Sequence, residues 1–122
     1  MLNVKKVLTK IMQLLKSHDT GINAIFKGCT KTYELLYNGG ATTSAKTVTP
    51  THNGWLYAFG FPTSGQTIPA ALAVETGGER LTIVGGTTNT AVQISVGVPV
   101  KGGVANTVTP YRASVNGIRV YY

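Results

Sequence analysis

The chain has 122 residues, of which only 12% are charged, about half the roughly 25% usual for soluble domains. That length suits one domain with at most a short appended element, and it buries a modest core. The single cysteine, Cys29, rules out an intramolecular disulfide framework, and no run approaches the roughly 20 apolar residues of a membrane span. The net charge of +7 is concentrated at the start: residues 1–31 carry six lysines against Asp19 alone, whereas residues 32–122 carry five basic and three acidic side chains. A basic arm suits an acidic protein surface or nucleic acid, and it equally suits the solvated side of a helix. Scarce charge elsewhere suggests that partners cover part of the surface.

Residues 2–18 predict a helix. Met1, Val4, Leu8, Ile11, Leu15 and His18 recur at alternating spacings of three and four, the pattern of a coiled-coil seam. Val7 and Leu14 widen that stripe, and Lys5, Lys6, Lys10 and Lys16 lie mostly off it. Asn3 is a candidate cap and Gly21 a candidate stop. So short a helix is marginal alone, and Val4, Leu8, Ile11 and Leu15 are expected to anchor it on its own copies, on the domain behind it, or on another protein. Lys5 and Lys6 ahead of an apolar run superficially suggest a signal peptide. Lys10 and Gln13 interrupt the run and no small-residue cleavage site follows, so secretory export is not expected. Residues 19–31 form a connector with an apolar patch, Ile22, Ala24, Ile25 and Phe26, for which a short strand and a docking segment are both open. Residues 1–31 are thus an anchor and connector, and residues 32–122 a head.

From Thr32 the pattern is β throughout, with strands expected at 32–37, 44–49, 54–61, 67–75, 79–84, 90–98, 104–109 and 116–122. Turn residues separate them: Asn38-Gly39-Gly40, Ser64-Gly65, Gly77-Gly78, Gly85-Gly86, Lys101-Gly102-Gly103 and Asn116-Gly117. The third strand is the most distinctive. Trp55, Tyr57, Phe59 and Phe61 take alternate positions, and Leu56, Ala58 and Gly60 between them are also apolar or small. A strand with so little solvated face belongs between two layers, or between its sheet and another subunit. In 91–98, Val92, Ile94 and Val96 share one face with Val98; at the C-terminus Ile118, Val120 and Tyr122 oppose Arg119 and Tyr121. Trp55, Tyr57, Phe59, Phe61, Val92, Ile94 and Val96 are therefore the expected core or subunit interface. About eight short strands at this spacing predict a mainly β chain, a jelly-roll-like sandwich preceded by an N-terminal α-helix.

The phrase VTPTHNGWLYAFGF resembles a segment of small bacteriophage virion proteins, in which a proline, polar residues, glycine and an aromatic strand open a jelly roll. ISVGVPVKGGVANTVTPY is similar to a strand, Pro-Val-Lys-Gly turn and strand of the same domains, and NGIRVYY resembles their aromatic final strand. The resemblance covers residues 44–122 and departs from its pattern where Gly103 and Val104, not an acidic residue, follow Lys101-Gly102. It implies a tumour-necrosis-factor or complement type of jelly roll, usually a homotrimer, in a head fibre, decoration or tail-tip component of a virion assembled in the host cytoplasm. The implied partners are other virion proteins, through the N-terminal helix, and host-surface glycan.

Catalytic chemistry has few candidates. The acids are Asp19, Glu34, Glu75 and Glu79 only. Glu75 and Glu79 flank Gly77-Gly78, so a hairpin brings them to a glycosidase-like spacing; as rim carboxylates they simply keep a turn soluble. Cys29 with His18 or His52 has the composition of a nucleophile and base, and a lone cysteine beside an apolar patch is commonly a small buried hydrophobe. No metal-site spacing and no phosphate loop occurs, so no enzyme activity, metal or cofactor is expected. Exposed, the aromatic row is a sugar platform; buried, it is core or interface. Loops 62–66, 85–90 and 110–116 are the alternative ligand surface, with Thr87, Thr88, Asn89 and Thr90 offering polar groups that also serve ordinary turns. A monomeric carbohydrate-binding module is the second reading. Nucleic-acid binding is not expected, because the β region lacks a basic stripe with interleaved aromatics.

Overall fold

In the computed structural model, residues 3–27 and 32–122 are described, with side chains at 3–16 and 32–122. The helix α1 spans Val4–Lys27. Asn3 caps it: its Oδ1 accepts the Lys6 N–H at 3.2 Å, satisfying one of the donors that a helix start leaves free. Gly21 is not the stop expected of it. A glycine costs an exposed helix only about 1 kcal/mol relative to alanine, no proline follows, and the spacing of three and four continues in the sequence through residues 22 and 25. The connector is accordingly helical as far as Lys27, while residues 28–31, with Cys29, lie outside the described residues.

Eight strands follow: β1 Tyr33–Tyr37, β2 Lys46–Val48, β3 Gly54–Gly60, β4 Ala70–Thr76, β5 Glu79–Thr87, β6 Ile94–Val100, β7 Asn106–Tyr111 and β8 Gly117–Tyr121. They form two four-stranded antiparallel sheets in the orders β1-β8-β3-β6 and β2-β7-β4-β5, the double-Greek-key arrangement of a jelly-roll sandwich. Gly77 and Gly78, with φ of 60° and 81°, make the β4–β5 hairpin turn, whose two central residues both need positive φ. Gly85-Gly86 is not a turn. The pair lies inside β5 at a register irregularity opposite Ala70 and Ala71, so β5 runs on to Thr87.

Leu56, Ala58, Leu72, Val74, Val96, Val108, Val115, Ile118 and Val120 fill the space between the sheets and are essentially without solvent contact. On β3 it is the small set, Gly54, Leu56, Ala58 and Gly60, that faces this core, while Trp55, Tyr57 and Phe59 lie on the outer face, half-buried. The rings are excluded from the interior by lack of room. A Cβ on Gly60 would stand 1.7 Å from the Ser114 carbonyl oxygen, and one on Gly54 2.1 Å from that of Tyr121. Phe61 follows the strand, half-buried, its carbonyl accepting the Ser114 N–H at 2.8 Å. Ile94 and Val96 enter the core, but Val92 precedes β6 and is 45% exposed.

Candidate functional site

The outer face of the β1-β8-β3-β6 sheet carries the densest concentration of aromatic chemistry. Strand register builds it: Tyr33 stands opposite Tyr121, Trp55 opposite Tyr121 from the other side, Tyr57 opposite Arg119, and Phe59 opposite Gly117. On the far flank Pro99, Gly97 and Ser95 face Trp55, Tyr57 and Phe59. The rings form a continuous layer, with centroids 5.7 Å apart for Tyr33–Tyr121, 6.4 Å for Tyr57–Tyr121 and 6.1 Å for Tyr57–Phe59. Two glycines seat the largest rings. The Trp55 indole lies across Gly97 and the Phe59 ring across Gly117, so that a Cβ there would meet ring atoms at 2.4 Å and 2.6 Å. Bare backbone on one strand covered by a ring from the next is a recurrent way of closing a glycine gap in a sheet.

Arg119 sits in the middle of this layer. Its Nη1 donates to the Tyr121 hydroxyl at 3.2 Å and its guanidinium stands 5.2 Å from the centre of the Tyr33 ring. The Tyr121 hydrogen bond holds its pKa above the ordinary value, against the opposing effect of burial, so the group is a permanent cation. Its Nε is buried and has no hydrogen-bond acceptor among the described residues. At the β6 flank the Gln93 amide donates to both the Tyr57 hydroxyl and the Ser95 Oγ, each at 2.9 Å. Tyr33 and Leu35 at the β1 flank are each 50% exposed. The face is thus apolar and aromatic over most of its extent, with one central cation and a polar margin.

The helix presents a second uncovered surface. Val4, Leu8, Ile11 and Leu15, expected as the anchor, are 47–63% exposed, and Val7, Met12 and Leu14 are exposed too. The domain behind the helix does not cover them, although α1 approaches β3 more extensively than it does the other strands.

Other candidates are occupied by local structure. Glu75 lies 3.7 Å from Arg80 in the β4–β5 hairpin, so its carboxylate is partnered by a cation. Asn89 Oδ1 accepts the Ala91 N–H at 2.9 Å and Thr87 Oγ1 accepts the Asn89 N–H at 3.0 Å, so the polar groups of loop 85–90 serve the turn itself. Arg112 holds the 110–116 segment by donating twice to the Pro69 carbonyl. An open cleft of about 240 Å³ separates the free edges of β5 and β6, lined by Val84, Thr87, Val92 and Gln93 among others. His52 stacks on Tyr122, centroids 3.7 Å apart, with its Nδ1 at 3.4 Å from Glu34 and 3.0 Å from Thr51 Oγ1. Partial burial raises the Glu34 pKa, but hydrogen bonds from the Thr51 N–H and hydroxyl, with His52 beside them, outweigh it and leave the carboxylate below its ordinary value. Among the described residues no group of three or more His, Cys, Asp or Glu side chains is placed to hold a metal ion. No described helix is long and apolar enough to cross a membrane.

Sequence reasoning found the β3 rings but not their setting. Tyr33, Arg119, Tyr121, Gln93 and Ser95 come from three other strands or their approaches, and only the 1-8-3-6 order assembles them. The alternation of Arg119 and Tyr121 against Ile118 and Val120 was the available signal. Comparison of the chain with family models, curated proteins and solved structures finds no match.

Proposed function

We propose that the protein is a non-enzymatic structural component of a phage virion, a head-fibre, decoration or tail-tip protein with a homotrimeric β-head. The observation that carries this reading is the outer face of the β1-β8-β3-β6 sheet, where Tyr33, Leu35, Trp55, Tyr57, Phe59 and Tyr121 leave apolar surface unburied around Arg119. Contiguous apolar patches beyond a few hundred Å² are rare on monomers and mark interaction sites. Aromatic residues and arginine, with few other charges, are the composition of interface centres. A sister copy would cover the rings. The virion assignment is supported by the resemblance of residues 44–122 to phage jelly-roll segments, whose aromatic opening strand corresponds to β3 and whose Pro-Val-Lys-Gly turn joins β6 to β7. In this role α1 joins the head to other virion proteins and the distal loops meet the host surface. Native mass spectrometry of the purified chain is expected to give three times the 12.9 kDa of one copy, and proteomics of purified particles is expected to find the protein in them. A stable, non-aggregating monomer sinks the trimeric head, and absence from particles sinks the virion role.

One observation favours a second reading. The Gln93–Tyr57–Ser95 hydrogen-bond cluster beside half-exposed rings is the mixture of flat apolar surface and polar margin that a sugar requires. On that reading the chain is a monomeric carbohydrate-binding module. Trp55, the only tryptophan, then reports glycan binding by its emission in a monomeric sample.

A further inference from the structure

We infer that the exposed seam of α1 is closed by the α1 helices of two sister copies, in a parallel three-stranded coil that leaves its basic surface outermost. This rests on the trimeric head proposed above and adds the occupant of the seam. The spacing assigns the heptad: Leu8 and Leu15 take position a, Val4 and Ile11 position d, and Val7 and Leu14 position g. Because the helix runs to Lys27 instead of ending at Gly21, residues 18, 22 and 25 fall on the same stripe, and the pattern lasts for more than three heptads. Sustained heptads of this length are what distinguish a coil from a merely amphipathic helix.

The residue types select the number of strands. Leucine at a with a β-branched residue at d moves the preference from two strands to three or four. Apolar residues at g, beside a and d, require a wider buried face than the narrow seam of a two-stranded coil. Cyclic symmetry of a three-copy head points all three N-termini the same way, which makes the helices parallel and settles three over four. Lys6, Lys10 and Lys16 occupy f, c and b, outside the contact, and Lys5 flanks it at e. Residues 3–16 contain no acidic side chain, so the outer surface is basic all round. Like charge there opposes the addition of further strands and suits an acidic patch on the particle.

In the single chain α1 buries none of its described apolar side chains, and helices of this length gain most of their stability from packing. Its order is therefore expected to depend on association. Full-length wild type and the Leu8→Asp/Ile11→Asp double variant should be compared by far-ultraviolet circular dichroism and native mass over a dilution series. The wild-type helical signal is expected to fall on dilution in step with the three-chain mass. In the variant the helical contribution of α1 is expected to be lost while the β signal persists, and half-dissociation to shift upward on the order of a hundredfold or more. A variant with its helical signal intact overturns the coil, as does a wild-type helix that is insensitive to dilution. A helix that forms only on phosphatidylserine vesicles overturns it in favour of a lipid surface. If the variant keeps the three-chain mass and the helix, the coil fails and the trimeric head stands. If it becomes monomeric with the helix lost, the coil stands and the head's own contact fails.

Discussion

Gly97→Ala probes the aromatic face at its tightest point. The alanine Cβ would lie 2.4 Å from Trp55 Nε1 and 3.0 Å from Cε2, so the indole must lift by about 1 Å to regain ordinary contact. Overpacking of that size costs about 1–3 kcal/mol. Trp55 is half-buried on an outer face and has some freedom to yield, so the lower half of the range applies. At about 4–8 °C per kcal/mol for a domain of this size, melting is expected roughly 4–16 °C lower. Because Trp55 is the only tryptophan, its emission should shift to the red in the same sample. A double-mutant cycle with Trp55→Leu isolates the contact: Gly97→Ala should be nearly neutral once the indole is gone, a coupling of about 1 kcal/mol or more. Strict additivity, with the alanine costing the same in both backgrounds, would show that the ring does not rest on Gly97.

Gly60→Ala makes the opposite case. Its Cβ would meet the Ser114 carbonyl oxygen at 1.7 Å, backbone against backbone with no side chain to give way, and soluble folded protein should not be recovered on expression. Acid should weaken the β1–β3 corner. Glu34 has a folded pKa below its ordinary 4.5, so its stabilisation is full above that value and is lost as pH falls through the lowered folded pKa. Stability measured by denaturant titration is expected to drop over that acidic window, and Glu34→Gln should flatten the drop.

Much of the fold was legible because strands of this length advertise themselves by alternation and by the turns between them. Five of the eight expected strands need shifts of no more than two residues at either end; β4 and β6 begin three and four residues later than expected, and β5 runs three residues further, because Gly85-Gly86 accommodates a register irregularity within a strand as readily as a turn. What alternation cannot say is which face is inward. On β3 both faces are apolar, and the larger side chains suggest the core or a subunit interface. The interior is instead crowded from across by Leu72, Val74 and Val108, leaving β3 room only for Gly54, Leu56, Ala58 and Gly60. Val92 stays out of the core for a related reason: its alternation with Ile94 and Val96 is real, but pairing with β3 stops at Ile94 and leaves it 45% exposed. Arg119 was legible as an outward residue and illegible as the centre of a ring cluster, because its neighbours come from strands distant in sequence.

Collisional quenching of Trp55 fluorescence by acrylamide, followed over a dilution series of the full chain, tests most directly whether sister copies cover the aromatic face. The account predicts a shielded indole at concentrations where the three-chain mass prevails, and a several-fold gain in quenching as the mass falls to that of one chain. Quenching that stays constant while the mass changes would place the interface elsewhere and contradict it.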